Sequence, residues 1–195
     1  MLSTMDNQSM TRRGMLGATV AGMLSASAIA ILGESPLRAQ GRRGATQQDV
    51  DILNVALALE HEAIEAYQIG AESGLVSAQV LPTAVLFQSH HKGHRDVLVA
   101  AIRQMGGTAV EPRSRADYVA ALDVASLRNQ TDVLQLAARL ERGAANAYLG
   151  VIPSFQDRAL SQVSARLAAD ETMHWTALAQ ALGEAIPGQP LSFGA

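Results

Sequence analysis

Residues 56–67 read Ala56-Leu57-Ala58-Leu59-Glu60-His61-Glu62-Ala63-Ile64-Glu65-Ala66-Tyr67, and residues 137–148 repeat the pattern. Six of the twelve positions are identical at an offset of 81: Ala56/Ala137, Leu59/Leu140, Glu60/Glu141, Ala63/Ala144, Ala66/Ala147 and Tyr67/Tyr148. They recur every three or four residues, the period of one helix face. The two stretches therefore share a buried face and have diverged on the solvent face. A second pair of segments aligns at an offset of 80, where His94 meets His174, Leu98 meets Leu178 and Ala101 meets Ala181. In that register His91 meets Glu171. The chain reads as a duplicated helical hairpin, and a site on its pseudo-two-fold axis receives matching residues from each half.

Working outward, Ile52, Val55, Ala56, Leu59, Ala63, Ala66 and Tyr67 mark a first helix from about Asp49 to Gly70. A second starts at Pro82 and stops at Gly106-Gly107, with Ala84, Phe87, His91, His94, Leu98, Ala101, Ile102 and Met105 on its stripe. Residues 107–129 form a longer connection, in which Ser114 caps a short helix through Asp123 with Tyr118 and Leu122 facing inward. The third long helix starts at the N-cap pair Thr131-Asp132 and runs through Leu136, Leu140, Ala144, Ala147 and Tyr148 to Val151, before Pro153 breaks it. The fourth runs from Phe155–Arg158 to Gly183, with Val163, Leu167, Glu171, His174, Leu178, Ala181 and Leu182 inward. The expected fold is all-α: an antiparallel four-helix bundle over 48–184, with one long crossover between its hairpins. A polar lead-in covers 40–47 and a flexible, Gly/Pro-rich tail covers 185–195.

Composition agrees. Of 195 residues, 48% are hydrophobic and 4% aromatic, with Ala and Leu dominant, which favours helix over sheet. A net charge of −3 without a basic run argues against nucleic acid as a partner. There are no cysteines, so any metal must be held by histidines and carboxylates. No nucleotide-binding loop or nucleophile triad stands out.

The first forty residues read as an address. Thr11-Arg12-Arg13-Gly14-Met15-Leu16 leads into an apolar run from Gly14 to Gly33, followed by Ser35-Pro36-Leu37-Arg38-Ala39-Gln40. A basic start, a short apolar middle and a small-residue cleavage site make a signal peptide over 1–39. The paired arginines resemble a twin-arginine signal, which implies export to the periplasm through the Tat translocase, in the folded state. Cleavage is expected after Ala39, with Ala28-Ile29-Ala30 as the other small-residue site. It removes three arginines and two acidic residues and leaves −4. An uncleaved membrane anchor is the alternative, since about 20 apolar residues approach the length of a span.

The polar residues on the apolar stripes are Glu60, His91, His94, Glu141, Glu171 and His174. Burying unpaired carboxylates costs several kcal/mol each, and a divalent cation removes that cost by coordinating them together. Glu171-Thr172-Met173-His174 is a Glu-x-x-His, whose two ends share a helix face. Glu60 and Glu141 have another possible use, pairing with Arg95, Arg139 or Arg142. Tyr67 and Tyr148 are candidates to hydrogen-bond the ligand carboxylates or to act as plain core aromatics. Gln88 is a further candidate behind the ligands. His61 and His90 are expected on the flank or in solvent, and Trp175 and the methionines in the core.

On Glu60 with Tyr67, Glu141 with Tyr148, Glu171 with His174, and His94 before Gly106-Gly107, the chain resembles the ferritin-like superfamily over 48–184, in particular small bacterial members that carry twin-arginine signals. The resemblance implies one Glu from each of two helices and Glu-x-x-His from each of the others around one or two ions. It implies iron first, with manganese or zinc as alternatives, and iron or peroxide handling as the chemistry. A homodimer is a further expectation. His91-Lys92-Gly93-His94 departs from the pattern, because His stands where the family has Glu; a Gln88-x-x-His91 register is also open. Three carboxylates leave two divalent ions one positive charge in excess, which disfavours a ferric site and leaves a single ion possible. The competing expectation is a structural or stress-related helical bundle whose site has degenerated.

Overall fold

The computed structural model describes residues 43–194, with side chains from Thr46 onward. The expected signal peptide over 1–39 lies outside the described residues. The described residues form five α-helices: α1 (Arg43–Glu72), α2 (Leu81–Gln104), α3 (Arg115–Ala121), α4 (Gln130–Val151) and α5 (Arg158–Ala181). Short 3-10 turns, Val124–Ser126 and Ile152–Ser154, precede α4 and α5. Among the described residues there is no strand, and no helix is long and apolar enough to cross a membrane. The chain is an all-α bundle of two antiparallel hairpins, α1 on α2 and α4 on α5, with α1 also meeting α4.

Local chemistry sets the ends. Helix α2 stops where Gly106 turns left-handed at φ +79°, a conformation that suits glycine, and its amide reaches back to Arg103 O. Helix α5 stops the same way at Gly183, φ +73°. Ser114 caps α3, as the sequence predicts; the structure adds a capping box with Asp117 and ends the helix at Ala121 rather than Asp123. For α4 the cap is Asn129 rather than the Thr131-Asp132 pair. Asn129 accepts from the Asp132 amide while the Asp132 carboxylate accepts from the Asn129 amide. Asp132 is thus the third helical residue, where an acid also suits the helix dipole.

The first helix is already formed at Arg43, the first described residue, so from there on the segment expected as a polar lead-in over 40–47 is helical. Its buried face is also rotated at that end: Val50, Leu53 and Leu57 enter the core, while Val55, expected inward, is 65% exposed. Apolar residues stand at consecutive positions there, so spacing alone selected the wrong neighbours. Met173 is likewise exposed rather than core. Asp49 is buried and accepts from the Gln156 and Asp157 amides at 2.9 and 3.2 Å, tying α1 to the start of α5.

The core divides into three clusters. One holds Leu53, Leu57, Leu98, Ile102, Tyr148 and Leu167. A second holds Tyr67, Phe87, Leu134, Ala138, Trp175 and Leu178. A third, under the crossover, holds Ile69, Tyr118, Leu122 and Leu136. Asn54 clamps the crossover by donating to Thr108 O and accepting from Val110 N, and Arg113 and Arg115 pair with Glu62, Glu65 and Glu72 of α1. In the segment 185–195, expected as a flexible tail, Phe193 packs edge-on against Trp175 and the Gly194 amide donates to Asn146.

Candidate metal centre

The two tyrosines lie in the first two apolar clusters and mark the limits of a polar layer. Helix α1 supplies Glu60 and Tyr67, and α4 supplies Glu141 and Tyr148. Seven residues, two turns, separate each pair, so acid and phenol share a face. The hydroxyls cross between hairpins: Tyr67 donates to Glu141 Oε1 and Tyr148 donates to Glu60 Oε1. Both phenols are held well above their ordinary pKa, by burial first and then by the neighbouring carboxylates, so they stay protonated donors.

Helices α2 and α5 complete the layer with His91, His94, Glu171 and His174. All six ionisable residues are buried, none more than 6% exposed. His91 faces both half-site acids, with Nδ1 2.8 Å from Glu60 Oε2 and Nε2 3.1 Å from Glu141 Oε1. Its counterpart Glu171 does the reverse, facing both half-site histidines. Its Oε1 is 3.0 Å from His94 Nδ1 and its Oε2 is 3.1 Å from His174 Nδ1. The duplicated residues Glu60/Glu141 and His94/His174 thus surround a central pair, His91 and Glu171, that breaks the symmetry.

Burial opposes charge throughout, and the cluster's own pairing overcomes it for all but Glu171. Glu60 is disfavoured as an anion by desolvation, but His91 and His94 bring it down to about 2. Glu141 is held below the usual carboxylate range by His174 and His91 against the same burial. Desolvation works against cationic His91 and His94, yet their carboxylate partners raise them to about 10 and about 12. His174 is raised too. Glu171 is pushed up, because desolvation outweighs its histidine partners and Glu60 adds to it.

Two sets of four ligand atoms converge here, each within 4.8 Å: Glu60, His91, His94 and Glu171, and His91, Glu141, Glu171 and His174. His94 Nδ1 and Glu171 Oε1 approach to 3.0 Å as an ion pair, yet neither makes a hydrogen bond of acceptable geometry. Buried ligand atoms that close together and not joined by a hydrogen bond, in a set of imidazoles and carboxylates, fit a divalent transition ion. The sequence matches the Ferritin-like domain over residues 48–184.

The chain belongs to the ferritin-like family. Among solved structures, a conserved hypothetical protein from Mycobacterium tuberculosis superposes with a TM-score of 0.60 at 20% identity, covering 76% of this chain and 99% of that one. At that identity the likeness speaks for the fold. No curated protein matches the chain.

Within this ferritin-like bundle the structure brings together all six candidate ligands and both tyrosines. It does not bring Gln88 in: that amide donates to Ile64 O and Gln68 Oε1 and accepts from Lys92. The arginines proposed as partners of Glu60 and Glu141 are elsewhere, Arg95 on Asp96, Arg142 over Trp175, and Arg139 exposed. His61 lies on the flank, 3.1 Å from Val110 O. Two contributors were missed. His90, expected on the flank or in solvent, is half-buried with Nδ1 2.8 Å from His174 Nε2, and Asp170 Oδ2 lies 3.2 Å from His94 Nε2. The offset of 80 that pairs His94 with His174 also pairs His90 with Asp170, which is the signal that could have found them.

Proposed function

We propose that this ferritin-like chain binds one or two divalent transition-metal ions in its core and is exported. Glu60, His91, His94, Glu141, Glu171 and His174 hold the metal, with Tyr67 and Tyr148 fixing the two paired glutamates. The carrying observation is the pair of buried four-ligand sets that share His91 and Glu171. Iron is the first candidate, with manganese and zinc next, because mixed imidazole–carboxylate donors suit these over magnesium or calcium. A bound ion supplies a Lewis acid and, for iron or manganese, a one-electron couple suited to iron or peroxide handling. The protein's residues hold the ligand atoms out of water and keep both tyrosine hydroxyls protonated and donating to Glu60 and Glu141. The paired arginines at Arg12-Arg13 and the apolar run after them support twin-arginine export to the periplasm.

Elemental analysis of protein folded in the cytoplasm and purified without a histidine tag tests the metal. A stoichiometric ion, lost in a Glu141→Ala/Glu171→Ala double variant that still folds, supports the reading. Metal-free protein whose melting temperature does not move with Fe(II), Mn(II) or Zn(II) refutes it. Replacing Arg12 and Arg13 by lysine, followed by cell fractionation, tests export: the variant should stay in the cytoplasm.

A second reading has a specific observation behind it. Three histidines face three carboxylates, so the cluster can balance its own charge. In that case the bundle is a structural module with a polar core, and the metal analysis above returns nothing.

A further inference from the structure

We infer that the two halves of the centre are unequal, and that Asp170 makes the Glu60/His94 half the first to take an ion. The inference rests on the metal-binding reading above. The two ligand sets share His91 and Glu171, so they differ only in Glu60 with His94 against Glu141 with His174. These are duplicated counterparts, and their acids are backed alike by Tyr148 and Tyr67. The equivalence breaks behind the histidines. Both rings turn Nδ1 toward the site and Nε2 outward, but His94 Nε2 meets the Asp170 carboxylate at 3.2 Å while His174 Nε2 meets the His90 imidazole at 2.8 Å. Asp170 and His90 occupy the same position of the duplicated helix with opposite chemistry.

A carboxylate only accepts hydrogen bonds. Asp170 therefore keeps a proton on His94 Nε2, so that when an ion displaces the proton of Nδ1 the lone pair freed there faces the site between Glu60 and Glu171. It also adds negative charge behind the ring, making that ring the stronger donor. His90 can accept from His174 as well, but it brings no charge and can equally present a proton. Asp170 is partly exposed, with 40% of its side chain open, so it acts through this hydrogen bond more than through space. It supplies, behind His94, the fourth carboxylate that the inner ring lacks at His91. Asp170 is a positioning residue.

Co(II), followed by calorimetry and by its visible ligand-field bands, tests this on the full folded chain. The wild type should show two binding steps. Asp170→Asn keeps the shape and removes the charge; it should weaken the tighter step by about 10–100-fold, shift that step's bands, and leave the weaker step within about threefold. His90→Asp should tighten the weaker step. Circular dichroism confirms that each variant is folded. Two ions of indistinguishable affinity in the wild type, or an Asp170→Asn effect on the weaker step alone or on neither, would overturn the inference while leaving the metal reading intact. If one ion binds, Asp170→Asn must weaken it and His90→Gln must not; the reverse overturns it. A folded wild type that takes up no Co(II) overturns both readings.

Discussion

His91 occupies the place where its counterpart across the duplication, Glu171, is acidic, and the consequence belongs to single side chains. The His91 ring bridges two glutamates as the cation that balances them; a glutamate there would leave four carboxylates facing two imidazoles. His91→Glu should therefore lower the stability of the metal-free protein by about 3–5 kcal/mol, the scale of removing one partner from a buried ion pair. It should also restore the Glu-x-x-His of α2, so that Mn(II) or Fe(II) raises the variant's melting temperature more than the wild type's. Scanning calorimetry with and without metal reads both. A variant as stable as wild type without metal, or no more responsive to it, would contradict the role given to His91. Sequence spacing identified His91, Glu171 and the other four ligands because each interrupts an apolar stripe. It missed His90 and Asp170 because each stands one residue off that stripe, and only the packing of α2 beside α5 brings them behind a partner's ring.

At the scale of elements, helix ends decide how accurately the two hairpins meet. Helix α4 carries both Glu141 and Tyr148, and its first turn is held by the Asn129–Asp132 capping box. Asn129→Ala should cost about 1 kcal/mol, within the usual 0.5–2 for a lost N-cap, and urea denaturation should show it as a lower midpoint with an unchanged slope. Asn129→Asp should retain most of the stability. An alanine variant with the wild-type midpoint would show that tertiary packing alone sets the start of α4. The sequence located this end within two residues, since Asn, Thr and Asp all cap well and only the backbone geometry tells which one does. Along α1 it erred by a rotation of the face, because Ile52, Leu53, Val55, Ala56 and Leu57 offer two apolar stripes. The helix buries the one that meets Leu98 and Leu167.

For the whole molecule, the buried cluster couples folding to protons and to metal with opposite signs. Without metal, Glu60 has its pKa lowered from 4.5 to about 2, so its contribution to stability is present above 4.5 and is lost as pH falls through 2. His91 and His94 are raised from 6.5 to about 10 and about 12, so theirs is full below 6.5 and is lost progressively as pH rises through those values. The raised pKa of Glu171 counts against stability above its ordinary range and tilts the balance further toward acid. The metal-free bundle should be most stable between about pH 4.5 and 6.5 and lose melting temperature from 6.5 to 9. Metal competes with the same imidazole protons, so the rise in melting temperature on adding Zn(II) or Mn(II) should grow over that interval. Thermal scans at four or five pH values measure both slopes; slopes of the same sign would refute the assignment of one cluster to both. By itself the sequence determined the all-α duplicated bundle and the six inward polar residues, because helical periodicity is local and a repeat displays it twice. Only the tertiary structure decided which residues back the ligands, which apolar stripe of α1 is buried, and that His91 faces both paired glutamates while Glu171 faces both paired histidines. Those choices depend on distances between helices far apart in the chain, which no spacing along a single helix encodes.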